Sequence, residues 1–271
     1  MHEFWLKVAA GMYSIGLVYA FVALSGKRQI LSRLLLPLMG LATIFHFVAI
    51  VESFTASGRF VPATVFQSES LLAFLLMLFF FGFYWKYQTT SHGILVFPLV
   101  FLLALSAAVG EQPPHFDNPT LRSGWIVTHI ALILAGYAAL FFSFVSSILY
   151  LVQERGLKAK SRSGFLARLP ALEVMDSIGL RSLLLGFPFM TVGLIIGSVI
   201  AQATFGAAYF RDPKILLSLL MWAVYMVLLF TRWNNGWRGR RAALLSTCAF
   251  IAATLAWAAN YFSSVHRFPA P

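Results

Sequence analysis

The chain is expected to fold as an all-α polytopic membrane bundle of about eight transmembrane helices, with both termini on the outer side. Three observations predict this. Hydrophobic residues fill 60% of the 271 positions and charged residues only 11%, whereas a soluble domain carries about 25% charged residues. So apolar a chain cannot cover a globular surface with polar groups. The apolar positions fall in runs of about 20 residues, the length that crosses about 30 Å of hydrocarbon. Finally, Lys and Arg concentrate in alternate connectors, as they do in proteins that cross the membrane repeatedly.

The runs lie near residues 4–25, 34–56, 67–88, 93–110, 123–152, 181–206, 213–232 and 242–264. Each is expected to be helical, because in lipid a helix satisfies its own backbone polar groups. The first begins almost at Met1 without a basic leader or a small-residue cleavage site, and reads as a retained helix rather than a signal peptide. The fourth is the shortest. The longest polar connector, residues 153–180, is expected to carry a short amphipathic helix on the inner surface. Residues 1–271 read as one integral-membrane domain without internal repeats. The lone Cys248 sits in an apolar run, which excludes a disulfide framework or a CxxC motif.

Orientation follows from the basic residues. One set of connectors holds fourteen: Lys27, Arg28, Arg33, Lys86, Arg155, Lys158, Lys160, Arg162, Arg168, Arg181, Arg232, Arg238, Arg240 and Arg241. The opposite set, with both termini, holds six: Lys7, Arg59, Arg122, Arg211, Lys214 and Arg267. The positive-inside rule places the first set in the cytoplasm. It also accounts for the net charge of +11 without a nucleic-acid partner.

With this orientation the histidines sort by depth. His129 lies just inside the outer edge of the fifth span, and His266 at the outer end of the eighth. His46 lies near the middle of the second span, His2 and His115 in outer segments, and His92 in an inner connector. Two imidazoles at matching depth, with aromatic residues between them, suit the two axial positions of a haem iron, and an apolar aromatic bed suits the ring. Zinc fits less well, since a structural site takes four nitrogen or sulfur ligands. Each histidine also has a plainer reading. His129 and His266 can be interfacial hydrogen-bonding residues, and His46 a hydrogen bond between helices. Spacing alone therefore stops at a haem site or a proton site.

Four stretches carry a resemblance. They are WIVTHIALILAGYAALFFSFVSSILYLV, LARLPALEVMDSIGLRSLLLGFPFMTVGLIIG, FGAAYFRDPKILLSLLMW and GWRGRRAA; FQSESLLAF around Glu69 adds a fifth, looser one. Together they resemble the cytochrome c assembly family of the CcsA type, with its shorter HemX- and YpjD-like relatives. The likeness runs from about residue 60 to the C-terminus, and residues 1–60 are more divergent. It implies that His129 is an outer haem-ligand histidine and that His46 matches one of two mid-membrane ligands. In the second stretch Leu169, Pro170, Leu172, Glu173 and Asp176 match the family connector.

The third stretch stands in the place of the family loop WGxxWxWDPKE, with Phe205, Gly206, Tyr209, Arg211, Asp212, Pro213, Lys214 and Ile215 at the corresponding positions. Two tryptophans are replaced by other aromatics, the third by arginine, and the glutamate by isoleucine. Phe230 stands where full-length relatives carry the second mid-membrane histidine, before Thr231 and Arg232.

The resemblance implies a haem-binding factor for c-type cytochrome biogenesis in a bacterial cytoplasmic membrane, at most one part of a haem lyase. Haem b would be held at the outer face by His129 and His266. Its ring would rest on Phe205, Tyr209, Phe210 and Trp125, with propionates near Arg211 or Lys214, beside Asp212. The implied partners are apocytochrome c and a second membrane subunit with an external domain. An accessory, haem-sensing role without haem attachment is the alternative; a proton-relay transporter is a third reading, with fewer buried acids than it needs.

Overall fold

The computed structural model describes residues 2–25, 32–57, 62, 64–110, 124–160, 164–234 and 236–259. These form eight α-helices: α1 His2–Leu24, α2 Ser32–Ser57, α3 Val65–Tyr87, α4 Gly93–Val109, α5 Gly124–Lys158, α6 Leu172–Phe205, α7 Pro213–Asn234 and α8 Arg240–Ala258. Seven are long and apolar enough to cross a membrane, and α4 is a shorter apolar helix. The protein is a multi-pass helical membrane bundle.

The connector between α5 and α6 differs from its expectation. No separate amphipathic helix lies there among the described residues. Instead α5 continues to Lys158, a 3-10 turn covers Leu166–Arg168, and α6 starts at Leu172. With 34 residues, α6 is about 51 Å long, well beyond the hydrocarbon thickness. A helix can run past the bilayer because it carries its own hydrogen bonds, so polar sequence does not by itself end it.

The chain divides into two compact units. The first contains α1–α4 with residues 153–170. Here α1 packs on α2 and α4, and α3 packs on α4. Its core is aromatic: Phe80 meets Phe97 edge-on at 4.7 Å, and Met39 and Phe97 close on Gly16, where an added Cβ would lie 3.0 Å from both. Thr64 caps α3 by accepting the Gln67 N–H at 3.1 Å, which fixes where that helix begins.

The second unit contains α5 up to Val152 and α6–α8. Its core joins Leu140, Leu183, Met190, Met221, Tyr225, Leu228, Ala249 and Ala253. Interhelical polar contacts supplement this packing, as expected where lipid removes the hydrophobic drive between helices. Ser143 and Ser246 meet at 2.9 Å, and Trp222 Nε1 donates to Thr191 Oγ1 at 2.9 Å. α5 and α6 approach closely at Gly186, where an added Cβ would stand 2.9 Å from that of Ala139.

Candidate functional site

At one end of the second unit the start of α5, the end of α6 and the start of α7 are brought together by chemistry. His129, in the second turn of α5, places Nδ1 2.7 Å from the backbone oxygen of Gly193 on α6. A carbonyl only accepts, so Nδ1 carries the proton and Nε2 keeps its lone pair. Among the described residues nothing bonds to Nε2. The ring lies against Gly197, where a Cβ would fall on the imidazole, 2.7 Å from Nδ1. The Lys214 ammonium lies within electrostatic range of the ring.

The connector from α6 to α7 begins at Gly206, whose φ of +62° is a left-handed conformation that glycine adopts without strain. A 3-10 turn, Gly206–Arg211, follows. Tyr209 is buried at 3% exposure and packs on Phe210, centroid to centroid 4.1 Å. Phe205 and Phe210 are about half exposed and Trp125 largely so; Arg211 is exposed as well. Tyr209 thus supports Phe210 from behind, whereas Phe205, Phe210 and Trp125 present free aromatic surface. Asp212 is buried, and its Oδ1 accepts the Lys214 N–H at 2.9 Å. With Pro213 next, this is an N-cap followed by proline at the first helical position. The Asp-Pro-Lys motif therefore sets the start of α7.

A different polar cluster lies inside the first unit. His46 on α2 is fully buried. Its Nε2 is 2.9 Å from Ser70 Oγ on α3, and its Nδ1 3.4 Å from the Tyr13 hydroxyl on α1. Tyr13 donates to Thr43, which donates to the Met39 carbonyl. With the Tyr13 proton so used, His46 donates from Nδ1 and accepts from Ser70 at Nε2. Phe74 closes the ring's edge at 5.9 Å. Beside it, Leu6, Ala49, Phe54, Phe66, Gln67 and Ser70 line a small cavity of about 30 Å³.

At the opposite end of α6 and α7, Asp176 accepts from Arg232 Nη2 at 2.8 Å and from the Gly239 N–H at 3.4 Å. Gly239 has φ +66°, and a Cβ there would lie 2.6 Å from the Tyr150 hydroxyl. This arrangement joins three separated motifs: the Leu-Pro-x-Leu-Glu-x-x-Asp connector, the Thr-Arg pair and GWRGRR.

His129 and Lys214, with Asp212 between Phe210 and the start of α7, share one end of the second unit. His46 lies in the first unit, and His266 lies outside the described residues. Sequence reading did not single out Gly193 or Gly197 for His129, nor Tyr13 and Ser70 for His46. The spacing in GLIIGSVI signals a flat helix face, but a carbonyl acceptor leaves no mark in the sequence. The donor set fits haem iron in one respect that can be tested on these atoms. An iron-binding histidine commonly gives its second N–H to a carbonyl or carboxylate, as His129 does.

The family profile "Cytochrome C assembly protein" matches residues 35–265. The chain is 36% identical over 155 residues to "Cytochrome c biogenesis protein CcsA" of Synechococcus sp. (strain CC9902), covering 49% of this chain and 51% of that protein. It is 28% identical over 225 residues to the protein of the same name from Chlamydomonas reinhardtii, covering 79% and 62%. A third, from Synechococcus sp. (strain WH7803), is 26% identical over 269 residues, covering 87% and 83%. The chain spans about half to three-fifths of the length of the first two of these relatives. With the profile covering most of its residues, the chain belongs to the cytochrome c assembly protein family.

Proposed function

We propose that the chain binds haem b at the outer face of a bacterial cytoplasmic membrane and holds it for attachment to apocytochrome c. The observation that carries this reading is the proton placement on His129: Nδ1–H is committed to Gly193 O at 2.7 Å, so Nε2 is the nitrogen left for iron. His266 is the second histidine that would hold the iron. Phe205, Phe210 and Trp125 offer apolar surface to the porphyrin, and Tyr209 backs Phe210. Arg211 and Lys214 are the cations for the propionates, since guanidinium and ammonium groups pair with carboxylates. Asp212 acts by fixing the start of α7 and with it Lys214.

When bound, haem supplies the vinyl groups that form thioether bonds with the CxxCH cysteines of the apocytochrome. This chain's residues orient it and shield one face from water; the chemistry belongs to the cofactor. A second membrane subunit with an external domain is the proposed partner that presents the apocytochrome.

A second reading, an accessory haem-sensing protein, is favoured by Phe230. It is 62% exposed on α7, in the place of the second mid-membrane histidine implied by the resemblance, and His46 has both ring nitrogens engaged.

The absorption spectrum of the detergent-purified chain from haem-replete cells tests the proposal. A low-spin Soret band lost or shifted in His129→Ala and in His266→Ala is expected. Well-folded wild type devoid of haem would overturn it.

A further inference from the structure

We infer that Gly193 and Gly197 are positioning residues for His129, which together select Nε2 as the nitrogen offered to haem iron; this rests on the haem reading above. In an α-helix the Gly193 carbonyl accepts the N–H of residue 197, and its second lone pair is free for another donor. That lone pair takes the His129 Nδ1–H. Side chains of a helix lean back over the preceding turn, so a side chain at 197 would cover this approach. Only glycine leaves the carbonyl reachable from α5.

The two kinds of glycine on α6 separate orientation of the ring from packing of the helices. The three atoms nearest a methyl at Gly197 all belong to the imidazole: Cε1 in overlap, Nδ1 at 2.7 Å and Nε2 at 3.2 Å. The imidazole ends a rotatable side chain, so it swings away, the Nδ1–H bond breaks, and the helices need not part. A methyl at Gly186 instead meets the Ala139 Cβ at 2.9 Å and the Gly136 carbonyl at 3.3 Å. Neither can rotate away, so the helices must separate. That contact is roughly 16 Å along α6 from Gly197, and it does not touch His129.

The test compares full-length wild type with His129→Ala, Gly197→Ala and Gly186→Ala, purified in detergent from haem-replete cells. Haem content, oxidised and reduced absorption spectra, and thermal unfolding are measured for each. Gly197→Ala is expected to lose haem affinity about ten- to a hundred-fold, the usual effect of removing a ligand's outer partner. It should shift from a low-spin to a high-spin spectrum, regain the low-spin bands on adding imidazole, and keep its melting temperature. Gly186→Ala is expected to melt earlier with a wild-type spectrum.

Should Gly197→Ala not fold, the tautomer of His129 in the haem-free wild type carries the test. Nitrogen NMR of the labelled imidazole is expected to find the proton on Nδ1, facing the Gly193 carbonyl, and a proton on Nε2 would overturn the positioning role. A wild-type spectrum and haem content in folded Gly197→Ala, or an equal spectral shift in Gly186→Ala, would overturn the positioning role while leaving the haem reading intact. A wild type without haem would overturn both.

Discussion

Arg232 on α7 donates through Nη2 to Asp176 Oδ2 on α6 at 2.8 Å, while Oδ1 of the same carboxylate accepts the N–H of Gly239 at the start of α8. One acid therefore ties three helices and neutralises a cation whose side chain is only 7% exposed. It also lies where the N-terminal end of the α8 dipole favours a negative charge. Arg238, Arg240 and Arg241 are left to face outward, and Arg241 stacks over Trp237 at 5.9 Å. Their exposure suits contact with anionic headgroups, so the GWRGRR motif combines a buried joint with a charged surface.

Asp176→Ala should cost the folded second unit about 3 kcal/mol, because it leaves a largely buried guanidinium without its counter-charge. Asp176→Asn should cost less, since an amide oxygen can still accept from Gly239. Thermal unfolding in detergent measures both. A melting temperature unchanged in Asp176→Ala would show that the pair is not part of the stability of this unit.

Ser70→Ala should destabilise the first unit by roughly 1–3 kcal/mol, the usual cost of stranding a buried polar atom, here His46 Nε2. Ser68→Ala is the control. Ser68 is also buried, but among the described residues its hydroxyl bonds only to the Thr64 carbonyl one turn back, so the change should be small. Equal melting temperatures for the two variants would argue that the Ser70–His46 bond contributes nothing net.

The spans were legible in the sequence because a run of twenty apolar residues admits few other structures. The ends of α5 and α6 were not. GLK after Glu154 and Arg155 looks like a loop in composition, yet it continues a helix whose hydrogen bonds are internal. The place of His129 near the start of its helix was legible from where the apolar run begins, but its acceptor was not, because a main-chain carbonyl belongs to every residue. Asp176 and Arg232 were visible as separate motif letters. Their pairing, across 56 positions of sequence, depends on helix packing that periodicity does not encode. Tyr209 shows the same gap: its aromatic character was legible, its burial behind Phe210 was not.

Asp212→Ala should shorten the start of α7 and cost about 1 kcal/mol, as loss of an N-cap does. Asp212→Asn should preserve the cap and most of the stability. Haem content separates the cap from a direct charge role. If the carboxylate acts only by setting Lys214, Asn will bind haem as the wild type does and Ala will bind less. Equal loss in both variants would assign Asp212 a direct role instead.

His92, in the connector before α4, supplies a pH dependence of defined sign. Burial removes water from the charged form and lowers its pKa from 6.5 to about 4, so the folded protein holds the imidazole neutral. The unfolded chain takes up a proton below about pH 6.5 while the folded chain does not. Stability is therefore full above that value and falls as the pH drops from 6.5 towards 4, by up to about 1.4 kcal/mol per pH unit. His92→Gln cannot titrate, so it should lose this part of the slope. The measurement is thermal unfolding of wild type and His92→Gln at pH 7.5 and pH 5. The wild type should lose more of its melting temperature between the two, and parallel losses would mean that His92 is not held neutral by the fold.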